Sequence, residues 1–126
     1  MKNDEIFDSV GRDGIDNKKA WDKLPTVLKY FIASHQRMIW DKVYRKVLEL
    51  YGENGCKDLV KTSGFRSHAT NSRVGGVNDS LHLFGLAIDF KKTGIFKNKP
   101  VPTCCQLECI DSKGCWHVQF RRGGNI

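Results

Sequence analysis

Apolar residues recur at intervals of three and four positions between residues 22 and 50, which is the spacing of one face of an α-helix. The members of this pattern are Leu24, Val27, Leu28, Phe31, Met38, Ile39, Val43, Val47 and Leu50. The pattern predicts one long amphipathic helix, or two helices broken near the polar residues Ser34 and His35. Pro25 suits the first turn of such a helix, and Gly52 suits its end.

Three shorter segments carry the β-branched and aromatic residues that are typical of strands. They are residues 57–63, KDLVKTS, residues 85–92, GLAIDFKK, and residues 116–121, WHVQFR. Residues 91–100 hold Gly94, Asn98 and Pro100, which predict a surface loop or hairpin. Residues 63–90 combine glycines, two arginines and two histidines in a stretch with little helical periodicity, where we expect long loops.

The order of a helix first and short strands afterwards predicts an α+β fold, in which an N-terminal helix or helix pair packs on a small antiparallel sheet. A chain of 126 residues suits one domain over residues 1–126 with a single core. Residues 1–21 are polar and include GRDGIDN with two glycines, so we expect an irregular arm laid over the domain. No segment approaches the ~20 apolar residues that a membrane span needs.

Basic residues outnumber acidic ones by 21 to 14, which gives a formal net charge of +7. Such a charge favours an anionic partner, a class that includes nucleic acid, membrane surfaces and acidic polymers such as bacterial cell wall. No nucleic-acid motif accompanies the charge, so we expect no specific nucleic-acid partner. The opening MKNDEIFDSV lacks the apolar core of a secretory signal, which predicts a cytoplasmic protein or one exported by another route.

The candidates for a metal site are His82, Asp89 and His117. Catalytic zinc takes about three protein ligands from His, Asp, Glu or Cys and leaves one position for water or substrate. Asp89 and His117 fall on predicted strands, which antiparallel pairing would bring to one face, and a turn at Gly85 would fold His82 over them. A buried Asp89 would need a partner or a metal, although strand alternation would equally let it face solvent.

The five cysteines offer a competing site. Their odd number argues against a disulfide framework and for reduced thiols. Cys104, Cys105, Cys109 and Cys115 with His117 would combine preferred ligands into a structural zinc site. The spacing argues against this site, because no Cys-x-x-Cys pair is present and adjacent residues of a strand point to opposite faces. The ordinary alternative is that these cysteines serve as small buried apolar side chains.

Three segments, SGFRS, NSRVGGVNDSLHLFGLAIDF and WHVQF, resemble in order the zinc D-Ala-D-Ala carboxypeptidase and endolysin family, peptidase family M15, and most closely its small phage-type branch. Members of that branch carry SGYRS, a GG followed by S-x-H-x-x-G-x-A-x-D, and a late W-x-H or similar strand. The resemblance implies zinc held by His82, Asp89 and His117 among long loops. It also implies that Arg66 faces the substrate carbonyl or carboxylate, and that Ser80 is the family serine before the first ligand.

The proton acceptor is the point at which the sequence departs from the family. Better-known members place an acidic residue three positions before the last histidine, and that position is Gly114 here. In the phage-type branch an acid often stands about six positions before the histidine, which without gaps is Asp111. Glu108 becomes the match when Gln106 and Leu107 anchor the alignment. Asp111 is the first choice, although DSKG is also a good turn, in which an aspartate is expected to bond its own backbone.

The resemblance implies a zinc metallopeptidase that cleaves peptidoglycan stem peptides, either as a D-Ala-D-Ala carboxypeptidase or as an endolysin-type endopeptidase. A metal-activated water would attack the peptide bond, and a carboxylate would take its proton. We expect a monomer, and a phage lysin made in the host cytoplasm and released to the wall fits a basic chain of this length. The alternative is a catalytically inactive binding module of the cell wall or virion that retains the zinc site.

Overall fold

The computed structural model describes residues 6–78, 80–92, 94–104, 107–112 and 114–121. Its elements are the helices α1 (Gly11–Asp22), α2 (Thr26–Asp58) and α3 (His68–Arg73), the strands β1 (Lys61–Ser63), β2 (Ala87–Lys91), β3 (Leu107–Ser112) and β4 (Cys115–Phe120), and 3-10 helices at Leu81–Phe84 and Gly94–Phe96. The strands form one sheet in the order β1-β2-β4-β3, with every neighbouring pair antiparallel. The predicted α+β class, with N-terminal helices packed on a small antiparallel sheet, is confirmed.

The long helix α2 covers one face of the sheet with its apolar side. Ile39, Val43 and Val47 recur at intervals of four along this side and are fully buried. They share a core cluster with side chains of the inner strands, namely Ile88, Phe90, Trp116 and Val118. Burying one such side chain stabilises the fold by about 1.5–3 kcal/mol. We call this side of the sheet the core face.

Helix α2 runs past His35 without interruption, so the alternative of a break at that point is wrong. The His35 ring packs between Phe31 and Phe120, with ring centroids 4.1 and 5.0 Å away, so this polar residue is accommodated on aromatic surface. Gly52 has a φ of 73° and kinks the helix instead of ending it, and helical turns resume until Asp58. Within the part of the chain that the structure describes, no helix combines the length and the apolarity that a bilayer span requires.

Gln36 ties α2 to the chain that leads into β2. Its side chain is fully buried. The Nε2 atom of Gln36 donates to the carbonyl oxygen of Gly85 at 2.6 Å and to that of Ala87 at 3.1 Å. Buried carbonyl groups require such donors, so one polar residue on the helix holds the segment that precedes the strand.

The irregular arm that we expect over residues 1–21 is wrong for Gly11–Asp22, which form helix α1. Residues 1–5 lie outside the described part of the chain. The buried face of α1 consists of Gly14, Asn17 and Trp21. A glycine and an asparagine make up most of this face, so the helix buries a surface that has no apolar periodicity, and apolar periodicity is the signal by which helices are recognised.

The three predicted strands are present, but their ends differ. β2 lies inside the predicted segment 85–92, and β4 begins at Cys115, one residue before its predicted start. Only Lys61–Ser63 is a strand within the predicted segment 57–63, because α2 extends to Asp58. The strand β3 has no counterpart in the sequence prediction.

The predicted surface loop at residues 91–100 contains a buried anchor. Phe96 belongs to a short 3-10 helix and is fully buried, with its ring centroid 4.8 Å from that of Trp116. The lysines that surround it gave the segment its polar character, although Lys97 and Lys99 are exposed as a surface loop requires.

We predict that Gly85→Ala destabilises the protein more than Gly75→Ala does. Both glycines have a positive φ, of 70° and 75°, so either alanine is strained by about 1 kcal/mol. A Cβ at Gly85 would also lie 2.5 Å from Cγ2 of the buried Ile32, whereas a Cβ at Gly75 meets nothing within 4 Å. This overpacking adds about 1–3 kcal/mol to the loss of unfolding free energy at Gly85. Urea denaturation with excess chelator measures both variants, and equal losses would contradict the packing at Gly85.

Candidate metal centre

The pairing of β2 with β4 brings Asp89 and His117 to the same side of the sheet. Asp89 stands directly opposite His117 in the register, and Ile110 of β3 stands opposite His117 on its other side. Directly opposed residues of antiparallel strands project from the same face, so these three side chains leave the sheet together. The neighbouring residues alternate to the core face. We call the side that carries Asp89 and His117 the site face.

His82 reaches the same point from the short 3-10 helix before β2. Ser80 caps this helix, and its Oγ accepts a hydrogen bond of 3.3 Å from the His82 backbone N–H. Gly85 ends the helix in the left-handed conformation, which turns the chain into β2. The His82 side chain is only 2% exposed. The order of cap, ligand and glycine turn therefore sets the position of this imidazole.

The three candidate ligands converge on one point. His117 Nδ1 lies 2.7 Å from Asp89 Oδ1, and His82 Nε2 lies 3.2 Å from Asp89 Oδ2. The atoms that these residues would offer to an ion all lie within 4.8 Å of one another. The structure thus brings together all three residues that the sequence singled out for a metal.

The hydrogen bonding of His82 leaves it an unsatisfied acceptor. Its Nδ1 lies 2.7 Å from the carbonyl oxygen of Gly64, which can only accept, so Nδ1 carries the proton. Nε2 then has a lone pair, is buried, and has no hydrogen-bond partner among the described residues. Its 3.2 Å contact with Asp89 Oδ2 joins two acceptors and is not a hydrogen bond. A cation at this point satisfies both atoms, so the donor set fits a metal ion.

Ionisation of the centre also suits a cation. Burial alone would raise the pKa of Asp89, but the neighbouring His117 and His82 rings hold that pKa well below its ordinary value. Burial alone would lower the pKa of His117, but the neighbouring Asp89 carboxylate raises it above its ordinary value. Asp89 is therefore ionised at neutral pH. Its negative charge stabilises a positive charge placed beside it.

Arg66 lies beside the three candidates, where its side chain is 12% exposed. Its Nη2 donates to Asp89 Oδ2 at 3.1 Å, its Nε to Ser63 Oγ at 3.0 Å and its Nη1 to Asn71 Oδ1 at 3.2 Å. Burial lowers the pKa of Arg66, although Asp89 opposes this effect. The guanidinium remains charged. It orients the Asp89 carboxylate and retains further N–H groups on its two terminal nitrogens.

The two candidate acids lie on opposite sides of β3. Glu108 pairs with Gln119 of β4 and projects from the site face, where Gln119 Nε2 donates to Glu108 Oε2 at 3.3 Å. Asp111 pairs with the core residue Trp116, and its carboxylate accepts from Lys92 Nζ at 3.0 Å. Once β3 is recognised, strand alternation across the β3–β4 hairpin places Glu108 on the same face as His117 and Asp111 on the opposite face.

Residues that sequence reasoning missed support the centre from the side. Asn71 accepts from Arg66, and Gln119 Oε1 lies 2.7 Å from His117 Nε2. Gln119 follows His117 by two positions on β4, so strand alternation predicts that both side chains lie on the same face. Asn71 belongs to helix α3, for which the sequence carried no apolar pattern.

The competing thiol site is not formed by the described cysteines. Cys104 is buried in the core cluster, and Cys109 packs against that cluster. The hydrogen bond from Cys104 lowers the pKa of Cys109 to about 6. In the described ranges, His82, Asp89 and His117 are the group with metal-binding geometry, and it includes no cysteine. Cys105 lies outside those ranges.

Two imidazoles and a carboxylate that meet at one point form a donor set of the kind that catalytic zinc sites use. The family described as Peptidase M15 matches residues 3–118, and the chain belongs to this family. Peptidases of this family are in general zinc-dependent. No curated protein and no solved structure matches the chain.

We predict that the protein binds zinc and that His82→Ala weakens this binding strongly. Loss of a residue that only supports a ligand lowers metal affinity by about 10- to 100-fold. Loss of the ligand itself should lower the affinity further. His68→Ala is the matched control, because His68 is exposed on α3 and belongs to no metal-binding group in the described part of the chain. Competition with a chromophoric chelator near neutral pH measures the affinities. Equal affinities for His82→Ala and wild type would contradict the assignment.

Proposed function

We propose that this chain is a zinc metallopeptidase that hydrolyses peptide bonds in peptidoglycan stem peptides. Membership of the Peptidase M15 family and the convergence of His82, Asp89 and His117 support the proposal. The convergence is the observation that carries it, because three ligand atoms at one point suit an ion with an open position. Either a D-Ala-D-Ala carboxypeptidase or an endolysin-type endopeptidase fits this centre.

His82, Asp89 and His117 are the residues that would hold the ion. Zinc supplies Lewis acidity toward a scissile carbonyl and lowers the pKa of a water molecule to about 7. The protein's own contribution is to present one ionised carboxylate and two imidazole lone pairs in a fixed arrangement. The 2% exposure of His82 keeps its side of the centre dry, which strengthens the electrostatic interactions there.

Glu108 is our choice for the proton acceptor, in place of Asp111. Glu108 projects from the site face and reaches His117 through Gln119, whereas Asp111 is paired with Lys92 on the far side of β3. One Glu108 oxygen accepts from Gln119, which leaves the other to take a proton from water and return it to the leaving amine.

Arg66 and Ser80 would act around the reacting bond. The remaining N–H groups of Arg66 suit the carbonyl oxygen or terminal carboxylate of a stem peptide, because the guanidinium is permanently charged and already fixed by Asp89. Ser80 holds the first histidine in position through its cap, and its 8% exposure leaves little surface for substrate. We therefore assign Ser80 a supporting role.

The basic surface suits a wall substrate. A net charge of +7 favours approach to an anionic polymer, and cell wall is such a polymer. We propose that the protein acts on the wall after release from the cytoplasm in which it is made, as a phage lysin does.

A cell-wall or virion binding module with a retained zinc site is the second candidate. The observation that favours it is Ile110, an apolar residue that stands directly opposite His117 on the site face. No acid therefore occupies the position nearest to that ligand on β3. In this reading Glu108 serves only to orient Gln119.

We predict that the zinc-loaded protein creates new amine and carboxyl ends in purified peptidoglycan. Release of free D-alanine would indicate a carboxypeptidase, and new internal amino termini would indicate an endopeptidase. Mass spectrometry of the products distinguishes the two, and Asp89→Asn is the inactive control because it removes the charged ligand. Sedimentation of the protein with the wall without new ends would support the binding module instead.

We predict that Glu108→Gln lowers turnover by about 10²- to 10⁴-fold at saturating zinc, because it removes the proton acceptor. Asp111→Asn should keep turnover near the wild-type value, since it only breaks an exposed ion pair with Lys92. Zinc content is measured in both variants, so that loss of metal is not mistaken for loss of the base. The reverse pattern, with turnover lost only in Asp111→Asn, would assign the base to Asp111.

A further inference from the structure

Gln119 connects a candidate metal ligand to the candidate base. Its Oε1 lies 2.7 Å from His117 Nε2, and its Nε2 donates to Glu108 Oε2 at 3.3 Å. The residue is 8% exposed, so its amide competes little with water for these partners. The Peptidase M15 match ends at residue 118 and therefore assigns nothing to Gln119.

The two hydrogen bonds have only one consistent direction. An ionised carboxylate accepts and cannot donate, so the amide of Gln119 must turn its NH₂ toward Glu108 and its Oε1 toward His117. Oε1 also accepts only, so His117 must carry a proton on Nε2. In a neutral imidazole the other nitrogen, Nδ1, then holds the lone pair. Nδ1 is the atom that lies 2.7 Å from Asp89 Oδ1, inside the candidate centre.

We propose that Gln119 is a positioning residue for the metal centre. It holds His117 in the tautomer that offers Nδ1 to the ion, and Glu108 in turn holds Gln119. The inference rests on the proposed function for the identity of the ion, and it adds the side chain that selects the ligand atom. A preset tautomer and ring orientation remove part of the cost of reorganising the ligand on binding.

The two candidate histidine ligands differ in the kind of group that sets their tautomer. His82 has its tautomer set by the carbonyl oxygen of Gly64, a backbone group that no side-chain substitution removes. The corresponding support of His117 is a side chain. Substitution of Gln119 therefore tests tautomer control at one ligand while the other stays intact.

The first test measures zinc affinity. Gln119→Leu keeps the approximate volume but loses both hydrogen bonds, and it should weaken zinc binding by about 10- to 100-fold. The double variant Gln119→Glu with Glu108→Gln keeps an acceptor for His117 and reverses the donor and acceptor of the second bond, so it should bind zinc more tightly than Gln119→Leu. Ile110→Ala is the matched control, because Ile110 also faces His117 but forms no side-chain hydrogen bond. Wild-type affinity in Gln119→Leu would overturn the inference.

The second test identifies the protonated nitrogen directly. Two-dimensional ¹H–¹⁵N spectra of the histidine rings in the zinc-bound wild-type protein should show His117 protonated at Nε2 and coordinated through Nδ1. A general structural role for Gln119 would not determine which nitrogen binds, so this readout is specific to the proposed role. Coordination through Nε2 would overturn the inference without any reference to a variant or its folding.

Neither readout depends on peptide hydrolysis, so the two proposals can fail separately. Zinc affinity that falls in Gln119→Leu, in a protein that releases no products from peptidoglycan, would support the inference and overturn the proposed function. Product release together with zinc affinity that is unchanged in Gln119→Leu would do the opposite. A wild-type protein that binds no zinc would overturn both.

Discussion

The half-buried carboxylate of Asp89 is the constraint around which the rest of the site is arranged. One of its oxygens faces His117, and the other faces both His82 and Arg66. Burying an ionised carboxylate is costly unless donors or positive charge surround it. The arginine supplies one charge, and each imidazole places a ring nitrogen beside one of the carboxylate oxygens. The arrangement therefore suits a cation, and the segments that carry His82 and Arg66 bring both side chains against the same carboxylate oxygen.

Much of the site could be predicted from the sequence because its chemistry depends on a few residue types. A histidine before a glycine turn, an aspartate inside an apolar strand and a second histidine on another strand are unusual enough to stand out. Antiparallel pairing then requires the last two to share a face when they are in register. The structure has that register, with Asp89 opposite His117. The long helix was predictable for the same kind of reason, since Ile39, Val43 and Val47 repeat with helical spacing.

The remaining features depend on contacts that produce no periodic pattern of apolar residues in the sequence. Helix α1 buries Gly14 and Asn17, and neither residue marks an apolar face. Strand β3 was missed because LECIDS mixes charged and apolar residues on both sides, so the choice between Glu108 and Asp111 rested on counting positions and not on faces. Once the β3–β4 register is known, that choice becomes a matter of strand alternation. The role of Gln119 could not be predicted without the same register, because it depends on the two residues that its side chain contacts, His117 and Glu108.

Asp89 and His117 sit on β2 and β4, the two inner strands of the sheet, and each strand is bonded to a neighbour on both sides. The spacing between the backbones of these two residues is thus set by strand pairing, which cannot widen without breaking the sheet. A fixed ligand spacing favours ions of one radius over others. Nitrogen and oxygen ligands at about 2.0–2.2 Å suit zinc, whereas calcium demands oxygen ligands at about 2.3–2.6 Å and more of them. The sheet that holds the core together thereby also fixes the backbone positions from which two of the three candidate ligands would discriminate between such ions.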